Sequence, residues 1–251
     1  MSSQSVLDVV QLHKSFVLHN IDGRRVDALT GVDLRVNVGE HVALAGSSGA
    51  GKSSLLKCIY RTYTPTSGDV ILTDTDGTRL ALSALGEREM VMVRGRRLGY
   101  VSQFLRAQPR RTPMDIVTAA GILRGTDVTT ARVLAMEALD RLRLDKGLWD
   151  VHTSVLSGGE RQRVNLAAGT ISPPRLLLLD EPVSALDPAN RTAALDVIAD
   201  LSAQGVAVLS VFHDLEAMER LASRIVVMRD GRIESDGPPI EILSTLRAVA
   251  R

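Results

Sequence analysis

Between an apolar strand expected at residues 41–45 and a helix expected at 52–60 lies the run Gly46-Ser47-Ser48-Gly49-Ala50-Gly51-Lys52-Ser53-Ser54. Glycine lets the backbone wrap closely around a ligand, so that successive N–H groups point inward at one anion. The helix N-terminus adds a favourable partial charge. A strand, a glycine loop, a lysine, a hydroxyl and a helix, in that order, make a phosphate cradle. Lys52 is expected to reach the β- and γ-phosphates of a nucleotide, and the Ser53 hydroxyl to ligate Mg²⁺.

The rest of the chain agrees with that frame. Short strands are expected at 6–13 and 27–37, with a loop or hairpin turn at 20–25 carrying an Asp-Gly pair. Val32, Leu34, Val36 and Val38 alternate onto one side of the second strand. Further short strands fall at 69–72 and 80–82 around a turn at 74–77, and a buried one at 98–101. From 104 to about 156 the character is helical: Pro113 suits a helix start, and Leu134, Ala138 and Leu142 recur at helical spacing. Helix and strand then alternate: helices at 157–170, 190–201 and 214–221, strands at 176–180, 206–212 and 225–228. A hairpin turning at Asp230-Gly231 and a helix at 240–248 follow. Such alternation argues for a mostly parallel sheet covered on both faces. The expectation is one α/β domain over 1–251, with an antiparallel β lobe near the N-terminus and an inserted helical lobe at about 104–156.

Two further motifs carry chemistry. Leu176 to Leu179 are four leucines, followed by Asp180 and Glu181. An apolar strand ending in a carboxylate delivers that charge to the mouth of a parallel sheet. Asp180 suits Mg²⁺, and Glu181 suits a general base that polarises an attacking water. Leu156-Ser157-Gly158-Gly159-Glu160 precedes Arg161-Gln162-Arg163. Ser157 is a good N-cap, with Glu160 placed as in a capping box. Two glycines after the cap leave N–H groups bare, as a phosphate site requires. In one compact chain that helix start cannot easily share a phosphate with the loop at Gly46, which points to a second subunit.

Composition excludes other classes. The 251 residues are 45% hydrophobic, enough for a sizeable core. A net charge of +1 and 3% aromatics leave neither a basic field nor stacking platforms for nucleic acid. The single Cys58 reads as a buried packing residue. The longest purely aliphatic run, Leu176 to Leu179, falls far short of the roughly 20 residues that span a bilayer. A cytoplasmic chain is expected, with any membrane role resting on a partner.

In order and spacing these motifs resemble the ATP-binding cassette (ABC) family of phosphate-loop ATPases, over nearly the whole chain. The resemblance implies an ABC ATPase domain that binds and hydrolyses ATP with Mg²⁺ in a homodimer, or in a pseudo-dimer with another ABC subunit. Gly46 to Ser53 resembles the Walker A loop, and Leu156 to Glu160 the family signature, which acts on the neighbouring subunit's ATP. Leu176 to Glu181 resembles Walker B with its adjacent glutamate, and Ser184-Ala185-Leu186-Asp187 the D-loop. Gln103 resembles the Q-loop glutamine that touches Mg²⁺ and the attacking water. His213 resembles the switch histidine that holds the γ-phosphate, and Phe16 the aromatic that stacks on adenine. Val183 stands where threonine is usual, and Asn165, Gly169 and Thr170 depart from the commoner residues of the helix after the signature.

Two branches compete. Ser15-Phe16-Val17-Leu18-His19 with Asp22-Gly23, Val101 to Arg106 with Pro109-Arg110, and Phe212-His213-Asp214 resemble the PhnL-type subunits of the phosphonate carbon–phosphorus lyase system. That resemblance implies a larger phosphonate-degrading complex and the formation of ribose 1-phosphonate 5-triphosphate. The alternative is the ATPase subunit of a membrane transporter of the lipoprotein-release or macrolide-export type, bound to a permease. Arg94, Arg96, Arg97, Arg106, Arg110 and Arg111 flank Gln103 and read either as a solvated face or as a docking surface, the second being preferred.

Overall fold

The computed structural model describes residues 4–18, 24–102 and 110–249. Two sheets organise it. β1 (Ser5–Leu18), β2 (Arg24–Asn37), β4 (Ser67–Thr73) and β5 (Arg79–Ala81) form an antiparallel sheet in the order β2-β1-β4-β5. β3 (His41–Ala45), β6 (Leu98–Val101), β7 (Leu176–Asp180), β8 (Ala207–Val211), β9 (Arg224–Arg229) and β10 (Arg232–Gly237) form the second, ordered β10-β9-β3-β8-β7-β6. Every pairing in it is parallel except the β9–β10 hairpin. The antiparallel lobe and parallel core expected from the sequence are both present.

The four leucines of β7 show why this strand lacks alternation. Leu177 and Leu179 join one hydrophobic cluster, and Leu176 and Leu178 the other. A central parallel strand has two buried faces and no polar side to display. On one face lie the antiparallel sheet, α1 (Lys52–Ile59) and α2 (Glu87–Arg96). On the other lie α3 (Pro113–Leu123), α4 (Val128–Arg141), α5 (Gly158–Thr170), α6 (Pro188–Ala203), α7 (Leu215–Leu221) and α8 (Pro239–Val249). The helical lobe starts where Pro113 suggests: Thr112 caps α3, its hydroxyl accepting from the Asp115 N–H at 3.1 Å. Cys58 is fully buried, and that burial pushes its thiol up to about 11. Among the described residues no helix is long and apolar enough to cross a membrane.

Two expectations are corrected, and one helix is added. The helix α2 has no signature in the sequence, because Glu87–Arg96 shows no clean apolar stripe and carries Gly95 in its last turn. Packing decides it: Met90 and Val93 are buried, and a Cβ on Gly95 would sit 2.9 Å from Leu123 of α3. Val38 is exposed, not in line with Val32, Leu34 and Val36, because β2 ends at Asn37 and a turn closed by Glu40 N–H to the Asn37 carbonyl follows. The arginine cluster is not one uniformly free surface. Arg94 donates to the carbonyls of Tyr60 (2.9 Å) and Arg61 (2.7 Å), and Arg97 pairs with Asp74. Arg96, Arg110 and Arg111 are exposed, and Arg106 lies outside the described residues.

Candidate functional site

The site forms where β3, β7 and β8 end together, at the carboxyl edge of the six-stranded sheet. The glycine loop leaves β3 and enters α1. Gly46 has φ +134°, and a Cβ there would collide with the Met228 carbonyl. Gly51, at φ +102°, would place a Cβ 2.5 Å from the Ala28 carbonyl. Both positions exclude side chains for backbone reasons. The loop is also tied to the β9–β10 turn, where the Gly231 N–H donates to the Ala50 carbonyl at 3.1 Å. Ser47, Ser48 and Gly49 are exposed at its crest, and Ser54 is half-buried in the first turn of α1.

Lys52 is buried, and its ammonium donates to the carbonyls of Gly46 (2.7 Å) and Ser47 (2.8 Å). Burial lowers its pKa, while the carboxylates of Glu181 and Asp180 pull it the other way. The Ser53 hydroxyl donates to Asp180 Oδ1 at 2.8 Å. The phenol of Tyr100, on the neighbouring strand β6, donates to Asp180 Oδ2 at 3.1 Å. Burial and the Asp180 charge raise the Tyr100 pKa, so the phenol stays a donor. Asp180 is thus held by two hydroxyls at the strand end.

Glu181 follows with φ +53°, an uncommon conformation for a residue with a side chain, of order 1–3 kcal/mol in cost. Its N–H donates to the Val211 carbonyl at 3.1 Å, and its carbonyl accepts from Gln162 Nε2 at 2.7 Å and from the Ser184 hydroxyl at 3.2 Å. The carboxylate lies 2.7 Å from His213 Nε2. A carboxylate oxygen accepts, so Nε2 carries the hydrogen. A cavity of about 210 Å³ opens beside this pair, lined in part by Ser184, Leu186 and Phe212. Asp187 caps α6, accepting from the N–H groups of Ala189 (3.1 Å) and Asn190 (3.0 Å). The Asn190 backbone and side chain hold the Asp187 carboxyl below the usual range. Val183, where a hydroxyl is usual, is buried and joins the larger apolar cluster.

Leu156 is buried, whereas Ser157 and Gly158 are exposed at the start of α5. The capping box is complete: Glu160 N–H to Ser157 Oγ at 3.3 Å, and Ser157 N–H to Glu160 Oε2 at 2.7 Å. Gly159 backs onto Ala185, whose carbonyl would lie 3.0 Å from a Cβ there. Among the described residues no hydrogen bond joins 157–160 to 46–54. Phe16 sits on the antiparallel sheet, its ring edge-to-face with Tyr63 at 5.1 Å and the Lys14 ammonium 4.8 Å from its centre. Gln103 lies outside the described residues.

The structure therefore gathers Gly46 to Ser54, Asp180, Glu181, Ser184 to Asp187 and His213, and leaves Ser157 exposed and bonded only to its own helix start. Sequence reasoning missed Tyr100, Gln162 and Asn165. Only the departure at Asn165 was a signal: its amide donates to the Ser102 carbonyl at 2.8 Å, next to Gln103. Gly169 departs for packing, since a Cβ there would strike Val101 of β6.

Comparison with known proteins agrees with this geometry. The model of the "ABC transporter" family matches residues 29–184. The methionine import ATP-binding protein MetN of Xanthomonas campestris pv. campestris is 34% identical over 92% of this chain and 67% of its own length. MetN of Histophilus somni is 32% identical over 94% of this chain, again across 67% of the relative. The dimeric ATP-binding cassette MJ0796, solved in a post-hydrolysis state with ADP and Pi, superposes with a TM-score of 0.83 at 26% identity. That likeness covers 93% of this chain and 98% of the other. With the phosphate loop, the acidic strand end and the capped glycine helix each in place, the chain belongs to the ABC transporter family.

Proposed function

We propose that this chain is the ATP-hydrolysing subunit of a membrane transporter and works as a head-to-tail dimer. Each ATP would lie between Gly46 to Ser54 of one copy and Leu156 to Glu160 of the other. One observation carries the reading: Lys52, Ser53, Asp180, Glu181 and His213 converge at one sheet edge, while the capped start of α5 is exposed and bonded to none of them. The fit to Mg²⁺ is good, because the Ser53 hydroxyl and the Asp180 carboxylate are adjacent hard oxygen donors. Mg²⁺ held there, with Gln103 as a further ligand, would neutralise charge on the β- and γ-phosphates.

The chain's own residues supply the rest. Loop N–H groups and Lys52 bind the phosphates, the lysine exchanging its carbonyl partners for phosphate oxygens. Glu181 takes a proton from the attacking water as its oxygen bonds to the γ-phosphorus and the β–γ bridging oxygen leaves with ADP. His213 Nε2–H then turns to the γ-phosphate. Phe16 would offer its ring to adenine. The helical lobe and the segment after Ser102 would meet the permease.

The transporter reading is supported by the MetN relatives, whose names state methionine import. A second reading, a PhnL-type subunit of a phosphonate-degrading complex, rests on the stretches around Ser15, Val101 and Phe212. Stimulation of ATP turnover by a permease in vesicles supports the first; stimulation by soluble phosphonate-degrading proteins supports the second. The core assignment is tested by Glu181→Gln. Turnover is expected to fall about 100-fold or more with ATP binding retained. Wild-type turnover in this variant would overturn it.

A further inference from the structure

The buried face of α5 is unusual in carrying amides. Gln162 is 2% exposed and Asn165 is 7% exposed. Burying an amide is costly unless its polar atoms are paired, so the placement of those pairs is informative. Gln162 uses both ends. Its Nε2 donates to the Glu181 carbonyl at 2.7 Å, and its Oε1 accepts from the Ala185 N–H at 2.9 Å. It therefore bridges the first and last residues of the turn that carries Glu181 into the D-loop. Asn165, three residues further along the same face, holds the Ser102 carbonyl at 2.8 Å.

This bridge acts on a strained backbone. Glu181 is in the left-handed region at φ +53°, and the orientation of its carbonyl is what Gln162 secures. With the Val211 carbonyl holding the Glu181 N–H and Gln162 holding its carbonyl, both peptides that flank the Glu181 Cα are fixed, and with them the root of the carboxylate that lies 2.7 Å from His213. The far end of α5 is fixed as well. Arg124 donates to the carbonyls of Ala168 (2.9 Å), Gly169 (3.1 Å) and Ile171. A helix clamped at one end and bonded along its buried face is held as one rigid element.

We propose that Gln162 is a positioning residue for hydrolysis: its side-chain amide bridges the Glu181 carbonyl and the Ala185 N–H, and so aims the Glu181 carboxylate. The inference rests on the head-to-tail ATPase reading and deepens it. Gln162 shares a helix with Ser157, so contact of Ser157 with the neighbour's ATP sets the pose of this chain's own Glu181. The contact is made in one site and felt in the other.

The test uses the full chain, with MgATP as probe, in two variants. Gln162→Leu removes both hydrogen bonds. Gln162→Glu keeps the shape and the acceptor for Ala185 and, once ionised, lacks the donor to Glu181, so it is assayed across pH, because burial favours the protonated form that still donates. For each, kcat, KM, ATP affinity and melting temperature are measured, and ATP-driven dimerisation is followed in the Glu181→Gln background. Expected is a fall in kcat of about 10- to 100-fold, with KM and affinity within about twofold and the dimer retained. An unchanged kcat in a folded variant overturns the proposal. So does a joint loss of affinity, dimer and melting temperature in Gln162→Glu, which marks a merely structural role. Should Gln162→Leu not fold, Gln162→Glu decides by the same measures. A wild-type chain without Mg²⁺-dependent hydrolysis would overturn the ATPase reading and this inference together, whereas an active wild type beside an equally active variant overturns this inference alone.

Discussion

Two helix starts in this chain are built in opposite ways. The first four N–H groups of any helix lack intrahelical acceptors. At α5 the sequence supplies two and leaves the Gly158 and Gly159 N–H groups over: Ser157 is extended, with φ −62° and ψ 166°, and its hydroxyl and the Glu160 carboxylate close a reciprocal box. At α1 nothing of the kind exists. The cap is Gly51 in the left-handed region, there is no side-chain cap, and no acidic residue lies in the first turn. A buried lysine instead adds positive charge to the positive end of the helix dipole. One start holds its own cap and is displayed at the surface with two glycine N–H groups to spare. The other is left electrostatically unfinished, and an anion completes it. In the proposed dimer the two face the same phosphates from different chains, one as the binding site and one as the lid.

That contrast can be broken experimentally. Lys52→Ala removes the cation from the unfinished start, and with it a charge-assisted contact worth roughly 1.5–3 kcal/mol. ATP affinity measured by calorimetry is expected to drop about 10- to 100-fold, with hydrolysis lost as a consequence. Undiminished affinity would mean that α1 does not depend on its ligand. Ser157→Arg alters only the capped start. In the Glu181→Gln background it is expected to leave ATP affinity of the single chain within about twofold and to abolish the ATP-dependent dimer on gel filtration. A dimer of normal yield would show that α5 faces something other than a neighbour's nucleotide. The smallest effect comes from Ser157→Ala, which opens the box without filling the interface. Loss of an N-cap costs about 1 kcal/mol, so nucleotide-free melting should fall by about 2–4 °C. An unchanged melting temperature would mean that the box does not support α5.

The parts of the site legible in sequence are the contiguous ones. A phosphate cradle is made by neighbouring backbone N–H groups, so its glycines and lysine must be consecutive, and Gly46 to Ser53 can be read as a unit. The capping box of Ser157 and Glu160 is equally local. Strand ends that bear acids are nearly so, since Asp180 and Glu181 follow four leucines without a break. Phe16 shows the limit. Its place in the sequence suggested an adenine contact, but its company of Tyr63 and Lys14 emerges only in the folded lobe.

Sequence alone determined the α/β class, the antiparallel lobe, the inserted helices and the residues of the phosphate loop, because each rests on short-range periodicity or on adjacent backbone groups. Tertiary structure decided the rest. Tyr100 reaches Asp180 across 80 positions because β6 and β7 are parallel neighbours, and Asn165 reaches Ser102 across 63 because α5 packs on β6. Arg94 and Arg97 look like free surface charge until the carbonyls of Tyr60 and Arg61 and the Asp74 carboxylate fold against them. The α2 helix forms where Gly95 admits Leu123, a partner from another helix. No local pattern encodes such pairings, since each depends on which elements the topology brings side by side.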